Sequence, residues 1–182
     1  AYDPEGARAL LAEAGFADGF NLVLGTPNDR YISDEQISQA IAQFLARVGI
    51  NTTIDASTAS TFFSRRNQGE FSLFLGGWGA GTGEMSSPLT TLVHSRDPDI
   101  GMGGTNAGGY SNPEVDAIIQ EALQTIDDET REKLLQQASR MAMKDLAVIP
   151  IHYEVSSWAA RSGLQVQPNA RQYTTAMLVT RQ

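Results

Sequence analysis

Apolar residues recur at helical spacing in several long stretches of this chain. After Ser33 they follow the i, i+3, i+4, i+7 repeat of one helix face, and this stretch ends at Gly49. The same repeat predicts a helix that begins at Asn112–Pro113 and another from Asp127–Glu129 to about Asp145, which together form a helical hairpin. The predicted apolar faces contain Ile37, Ala40, Ile41, Phe44, Leu45 and Val48; Val115, Ile118, Ile119, Ala122, Leu123 and Ile126; and Leu134, Leu135, Ala138, Met141 and Ala142.

Capping residues mark the predicted helix boundaries. Asp3 followed by Pro4 predicts an N-cap with proline in the first turn, and Gly15 predicts the end of this first helix. Ser33 and Gln36 have the spacing of a capping box, in which each side chain bonds the backbone N–H of the other residue. The chain is therefore expected to begin with a short helix and to enter its second helix at Ser33.

Short apolar runs separate the first helices. Phe20–Gly25, Ile50–Asp55 and Phe71–Gly77 each predict a buried strand, and Thr58–Asn67 predicts a short helix between the last two. Strands that alternate with helices over short connections pair in parallel through right-handed crossovers. The expected fold class is therefore α/β, with a mostly parallel sheet that carries helices on both faces, together with the helical hairpin.

The middle and the end of the chain lack this regularity. Residues 78–109 are rich in glycine without periodicity, which predicts a long irregular segment, and Pro88 is expected to interrupt a helix there. Val148–Tyr153 predicts a strand, with Pro150 favouring an edge or terminal position. Beyond it, short β-like patches around Pro168 predict no particular arrangement.

Composition narrows the class of protein. The chain has 182 residues, 13 Lys and Arg against 21 Asp and Glu, a net charge of -8 and 41% hydrophobic residues. This suits one domain with a packed core, and the lack of cysteine excludes disulfides, thiolate metal sites and cysteine nucleophiles. The acidic balance argues against nucleic acid as a partner, and no apolar run is long enough to span a membrane. We expect a single domain over residues 1–182 that is a fragment of a longer protein.

Two loops follow strands at the edge where open parallel sheets bind ligands. The loop after the first strand offers the amide of Asn28, the guanidinium of Arg30 and the phenol of Tyr31. The loop after the third strand offers the indole of Trp78 and the carboxylate of Glu84, with backbone amides at Gly79, Ala80 and Gly81. Arginine binds carboxylates through paired hydrogen bonds, so the two loops predict a site for a polar solute with a carboxylate end.

A purely structural interpretation of these loops remains open. In it, Arg30 is a surface charge paired with Asp29, and Trp78 belongs to the core. Neither histidine has a second ligand at metal-site spacing, and His152 is interpreted as a core or cleft histidine. No nucleotide fingerprint or serine-hydrolase elbow is present, and the Asp127–Asp128 and Asp97–Asp99 pairs suit a helix start and a turn.

The sequence also resembles the family 5 solute-binding proteins of ABC transporters, the peptide, nickel and opine class. Short stretches distributed along the whole chain, in the family's order, carry this resemblance. They are Tyr2–Glu5 with Ala14–Phe16, Gly76–Trp78, Tyr110–Pro113 with Asp116, and Ile149–Tyr153.

The resemblance implies a periplasmic-binding-protein type II-like lobe, the C-terminal lobe of a two-lobed protein whose N-terminal lobe is absent here. It implies no enzymatic activity and no cofactor. The expected role is capture of a peptide or related polar solute outside the cytoplasm, in the periplasm, and its delivery to the permease subunits of a bacterial importer. An opine, nickel-chelate or sugar ligand, and less readily a small α/β enzyme or nucleotide-binding domain, stay open as alternatives.

The family pattern also assigns roles to individual residues. Arg30 matches the arginine that receives a ligand carboxylate in dipeptide-binding relatives. Peptide-binding relatives carry an aspartate for the ligand amine at the position of Gly81, where this chain differs, and Glu84 lies nearby. The resemblance thus implies that Arg30 binds the carboxylate, Trp78 walls the cleft and the amides of Gly79–Gly81 bond polar groups. With Asn28, Tyr31 and Tyr110, these residues form the predicted ligand site.

Overall fold

The computed structural model describes residues 2–169 and 173–181. The two ends of the predicted domain, Ala1 and Gln182, lie outside these ranges. The backbone forms two compact units. The first comprises the chain up to Gly77 together with Thr105–Gly109, and the second comprises Trp78–Gly104 and the chain from Tyr110 onward.

The first unit is built on a parallel sheet. Its elements are α1 (Pro4–Glu13), β1 (Phe20–Pro27), α2 (Asp34–Ala46), β2 (Ile50–Ser57), α3 (Ala59–Asn67) and β3 (Leu73–Phe74). The strand order is β2-β1-β3, and both pairings of the central strand are parallel. The first crossover leads from β1 to β2, and the second leads in the opposite direction, from β2 past β1 to β3. Because both crossovers are right-handed, α2 and α3 cover opposite faces of the sheet. The predicted α/β architecture is confirmed.

Aromatic packing fills the α3 face of this sheet. Phe62 is fully buried and stacks on Phe71 with ring centroids 5.7 Å apart. A Cβ at Gly25 would lie 2.6 Å from the Phe71 ring, so only glycine lets this ring sit against the central strand. The third strand itself is shorter than the predicted Phe71–Gly77, although Leu75 still donates its N–H to the carbonyl of Gly25 at 2.9 Å.

Helix starts in the first unit use aspartate. The Asp3 carboxylate accepts from the N–H of Gly6 at 2.8 Å, as predicted. The Ser33–Gln36 capping box is wrong, because Ser33 adopts a left-handed conformation (φ 59°) and its side chain makes no cap bond. The buried carboxylate of Asp34 binds the backbone N–H of Arg30, Tyr31 and Glu35 instead, which satisfies the donors at this turn.

The second unit is mainly helical. It contains α4 (Ser86–Pro88), which continues as a π-helical turn over Leu89–Val93, then α5 (Pro113–Gln124) and α6 (Asp128–Lys144). Asn112 and Asp127 cap α5 and α6 through their side chains, which confirms the predicted helical hairpin. A buried cluster joins the hairpin to the π turn, and its members are Leu89, Val93, Val115, Ile119, Ala122, Leu135, Ala138 and Ala142.

Two predictions about the second unit are wrong. Pro88 does not interrupt a helix, because it lies in the first turn, where the N–H that proline lacks has no helical partner. Residues 148–153 form no strand within the described part of the chain, and Ile149, Ile151 and Tyr153 are exposed. A strand needs a neighbour to satisfy its backbone, and Pro150 supplies no N–H for one.

The C-terminal residues form a small antiparallel pair. Strand β4 (Leu164–Val166) pairs with β5 (Val179–Arg181), and a 3₁₀ turn at Ala176–Leu178 immediately precedes β5. Among the helices of the described ranges, none is both long and apolar enough to cross a membrane.

Candidate functional site

The loop after β1 is held from two sides by carboxylates. Asp34 binds the backbone N–H groups of Arg30 and Tyr31 at 3.1 and 3.0 Å. Asp29 accepts from the N–H of Ala59 at 2.7 Å, where α3 begins. These bonds fix the backbone of the loop while leaving the side chains of Asn28 and Arg30 exposed. The predicted loop is therefore a preorganised platform at the carboxyl edge of the sheet.

Arg30 and Tyr31 form one group on this platform. The guanidinium carbon of Arg30 lies 5.1 Å from the centroid of the Tyr31 ring, within the range of a cation–π contact. The same ring packs beside Gly77, where a Cβ would lie only 2.8 Å from Tyr31 Cε1. The segments after β1 and β3 thus meet at this edge, as the parallel topology predicts.

The Arg30 guanidinium has no ionic partner among the described residues. Asp29 caps α3, so the alternative of a surface Arg30–Asp29 pair is wrong. Among residues 2–169 and 173–181, no carboxylate lies within 4.0 Å of the Arg30 side-chain nitrogens. An exposed, preorganised guanidinium that lacks a counter-ion has its paired N–H groups available to an external carboxylate.

The second predicted loop lies in the second unit. Trp78 is 42% exposed and donates its indole N–H to Ser87 Oγ at 3.3 Å, so the alternative that Trp78 belongs to the core is wrong. Gly79 and Gly81 are exposed and Ala80 is half-buried. This segment presents one fixed aromatic face and a run of backbone with little side-chain cover.

Glu84 is committed to a partner inside the second unit. Its carboxylate binds Arg131 of α6 through both oxygens, with Arg131 Nη2 at 3.0 Å from Oε2, and accepts from Ser86 Oγ at 2.6 Å. The Arg131 guanidinium, assisted by Ser86, lowers the pKa of Glu84 to about 2. Since Ser86 and Ser87 are adjacent, Glu84 and Trp78 both attach to the start of α4. The arrangement neutralises the charge that was predicted to face a ligand.

Tyr110 also has an internal partner. Its hydroxyl donates to Asp145 Oδ2 at 2.7 Å, and Asn112 Nδ2 donates to the same oxygen at 2.8 Å. Burial, followed by the Asp145 carboxylate, raises the pKa of Tyr110 to about 12, while Tyr110 and Asn112 lower the pKa of Asp145. Because Asn112 also caps α5, these contacts join the start of α5 to the end of α6.

A buried histidine network lies in the same unit, and sequence reasoning did not find it. His94 is 2% exposed, and its Nε2 lies 3.0 Å from Gln120 Nε2. Asp116 accepts from the N–H of Ser95 at 2.9 Å and has Oδ1 3.6 Å from His94 Nδ1. His152, predicted in the core or a cleft, is exposed instead. No group of three or more His, Asp or Glu side chains in the described ranges is placed to hold a metal ion.

The predicted ligand residues therefore divide between the units. The first unit holds Asn28, Arg30 and Tyr31 at one edge, and no carboxylate of the described ranges binds their side-chain polar groups. The remaining predicted residues belong to the second unit, and they are Trp78, Gly79, Ala80, Gly81, Glu84 and Tyr110. Within it, Glu84 and Tyr110 already make strong internal bonds, whereas Trp78 and the backbone after it are open.

The chain is similar in sequence to known solute-binding proteins. Residues 1–99 match the model described as bacterial extracellular solute-binding proteins, family 5 middle. The chain is 33% identical over 159 residues to the glutathione-binding protein GsiB of Salmonella choleraesuis, covering 84% of this chain and 30% of that relative. This chain thus spans about a third of the length of the curated relatives it matches.

Solved structures agree with the fold. The periplasmic binding protein DppA from Helicobacter pylori, in complex with the peptide STSA, superposes with a TM-score of 0.72 at 25% identity, over 80% of this chain and 28% of that one. A dipeptide-binding protein from Pseudoalteromonas sp. SM9913, in complex with Met-Leu, has a TM-score of 0.80 at 21% identity. It covers 99% of this chain and 36% of that chain, and it supports the fold alone.

Proposed function

This chain belongs to the bacterial extracellular solute-binding proteins of family 5, and we propose on that premise that it forms part of the substrate-binding component of an ABC importer. The protein captures a peptide-type solute outside the cytoplasm and delivers it to permease subunits in the membrane. It acts by binding and release, without catalysis. A second lobe, outside this chain, supplies the other wall of the ligand site.

The observation that carries the proposal is the state of Arg30. Its guanidinium stands at the carboxyl edge of the sheet on a loop that Asp34 and Asp29 hold in place, and no carboxylate in the described part of the chain is its counter-ion. A ligand carboxylate supplies the missing partner, and each charge-assisted hydrogen bond of this kind contributes ~1.5–3 kcal/mol. Asn28 and Tyr31 lie beside it and orient the same end of the ligand.

The second unit, taken by itself, also offers apolar surface and backbone groups that suit a ligand. Trp78 offers an indole that its bond to Ser87 orients, and the amides of Gly79, Ala80 and Gly81 offer donors to ligand carbonyls. Glu84 and Tyr110 act differently, because their polar atoms are engaged within the unit. They support the shape of the segments that contact the ligand.

The names of the relatives favour a peptide-type ligand. GsiB is named for glutathione, and the Helicobacter pylori protein was solved with the peptide STSA. The change to Gly81 affects only the amine end of such a ligand, since Arg30 retains the carboxylate end. A measurement of the mass of the released ligand distinguishes a peptide from an opine, a nickel chelate or a sugar.

The test is native mass spectrometry of the intact protein, purified from its own source without refolding. The expected result is a set of released masses that differ by amino-acid residues, which marks a peptide carrier that functions with glycine at position 81. A single released mass that is not a peptide contradicts the peptide assignment. A protein refolded from denaturant and freed of ligand is the matched control for adventitious binding.

A further inference from the structure

Two adjacent arginines at the end of α3 have different surroundings. Arg65 is neutralised, because its nitrogens bind Asp55 at 2.8 and 2.9 Å and Glu70 at 2.7 Å. Arg66 donates to the side-chain oxygen of Asn67 at 3.0 and 3.3 Å, and no carboxylate of the described ranges lies within ionic reach of it. Arg66 therefore carries a charge that no carboxylate of residues 2–169 and 173–181 compensates.

Aromatic rings hold this guanidinium in place. Its central carbon lies 5.0 Å from the centroid of Phe63 and 5.8 Å from that of Phe74. Packing against these rings partly removes water, and burial lowers the pKa of Arg66. A partly desolvated guanidinium interacts more strongly with an anion than a fully solvated one does. Nε and Nη2 donate to Asn67, whereas Nη1 makes no hydrogen bond among the described residues and is available to an anion such as a carboxylate.

The Arg66 side chain extends toward the carboxyl edge of the sheet, where Arg30 also lies. Phe63 is one helical turn nearer the start of α3, and α3 starts just beyond the carboxyl end of β2. Arg66 therefore reaches back toward the carboxyl edge of the sheet. The Phe74 ring beneath it extends to Gly76, whose added Cβ would lie 3.7 Å from that ring.

Arg30 approaches the same segment through Tyr31. The Tyr31 ring packs beside Gly77, the residue after Gly76, and Arg30 lies over that ring at 5.1 Å. The Phe74 and Tyr31 rings therefore both lie against the Gly76–Gly77 segment, and each has a guanidinium without a carboxylate partner over it. A ligand with two negative groups would neutralise both guanidiniums.

We propose that Arg66 is a second anion-binding residue beside Arg30, and that the ligand carries two carboxylates, as an acidic peptide does. The proposal rests on the proposed function and defines its substrate class. Arg30 binds one carboxylate of every ligand, and Arg66 binds the second carboxylate, which only acidic ligands have. Arg66 therefore sets specificity, while Arg30 sets general affinity.

The experiment is calorimetric titration of the ligand-free intact protein with Ala-Ala-Ala and with Ala-Ala-Glu. We expect the acidic tripeptide to bind about tenfold more tightly or better, the typical effect of one added charge-assisted contact. Arg66→Met keeps an unbranched stem on Phe63 and Phe74 and is expected to remove this preference for the acidic tripeptide. Arg140→Ala, an exposed arginine of α6, is the matched control and is expected to leave the preference intact.

Different results would contradict the role of Arg66 and the proposed peptide-type ligand. An unchanged preference for Ala-Ala-Glu in Arg66→Met, or its absence in the wild type, overturns the role of Arg66. Glutarate and butyrate are the probes for a ligand that is not a peptide. If neither tripeptide binds but glutarate binds about tenfold more tightly than butyrate in an Arg66-dependent manner, the peptide assignment fails and the two-carboxylate site stands. If glutarate shows no such preference and no tripeptide binds, the role of Arg66 is overturned.

Discussion

The charged residues singled out in each unit have opposite surroundings, although Arg65 of the first unit is neutralised as well. In the first unit, Arg30 and Arg66 lack carboxylate partners within the described structure and rest on aromatic rings near one sheet edge. In the second unit, Glu84 binds Arg131, and Asp145 accepts from Tyr110 and Asn112. We interpret the two arginines near the sheet edge as groups available to a ligand, whereas the paired carboxylates stabilise the second unit.

This difference matters because a charged group rarely binds a ligand and stabilises the fold at the same time. A carboxylate that already accepts a guanidinium and a hydroxyl gains little from a ligand amine, since its existing bonds would have to break. A guanidinium without a counter-ion gains the whole interaction when a carboxylate arrives. The comparison therefore predicts which substitutions change affinity and which change stability.

The largest expected effect is on ligand affinity at Arg30. Arg30→Ala in the intact protein is expected to weaken binding about 10- to 100-fold, because ~1.5–3 kcal/mol of charge-assisted hydrogen bonding is lost. Calorimetric titration with the ligand identified by mass spectrometry measures this. Thermal unfolding should be unchanged, as it should for Arg140→Ala, which should also keep full affinity. An affinity for Arg30→Ala within twofold of wild type would show that Arg30 does not bind the ligand.

The next effect is on stability at Arg131. Arg131→Ala removes the bonds to Glu84 and the bond from Nη1 to the carbonyl of Ala122 at 2.7 Å, so we expect a loss of about 1–2 kcal/mol in the free energy of unfolding. Urea unfolding measures it, with Arg140→Ala on the same helix as the control. Equal unfolding midpoints for the two variants would contradict the structural role of the Glu84–Arg131 pair.

Acid should weaken the same pair. The pKa of Glu84 is about 2 in the folded protein and lies near its ordinary 4.5 in the unfolded chain, so its contribution is complete above about 4.5 and is lost as pH falls toward 2. Because the side chain is 37% exposed, water screens the pair and we expect only about 1 kcal/mol across this window. Urea unfolding between pH 5 and 3 (roughly the window that linkage defines) should show a shallower pH slope for Glu84→Gln. Identical slopes for the variant and the wild type would refute this linkage.

The smallest effect belongs to Tyr110. Tyr110→Phe removes the hydroxyl bond to Asp145 but leaves the bond from Asn112, so we expect a loss of about 0.5–1 kcal/mol in stability. The affinity for the natural ligand should stay within twofold, as measured by calorimetric titration. A clear loss of affinity without a loss of stability would place Tyr110 in the ligand site and would weaken the distinction between the two units.

Local patterns predicted those parts of the fold that local interactions determine. The helices α2, α5 and α6 and the caps at Asp3, Asn112 and Asp127 are confirmed, because helices and their caps depend on residues within one or two turns. Their predicted apolar faces are confirmed only in part, since Phe44 and Ile126 are exposed. The Ser33 cap failed since a neighbour, Asp34, competes for the same backbone donors with a charged group. Residues 148–153 show why strands are harder to predict than helices. Their sequence suits a strand, but a strand also needs a partner strand, which local sequence does not reveal.

The candidate site, like the fold, was predictable only where local sequence and sheet topology determine it. Topology placed the loop with Arg30 and Tyr31 at the correct sheet edge, because parallel strands align their carboxyl ends. The pairing of Glu84 with Arg131, 47 residues apart, leaves no local signal. Arg65 and Arg66 are identical neighbours in sequence, and only the contacts on either side of α3 distinguish the neutralised residue from the uncompensated one.

The most direct test of the account is a crystal structure of the intact protein with the ligand that it carries from its own source. We expect a ligand carboxylate with oxygens about 2.7–3.0 Å from the Arg30 guanidinium, and we expect Glu84 to keep its bond to Arg131. A ligand whose carboxylates all lie away from Arg30, or one that displaces Arg131 from Glu84, would contradict it.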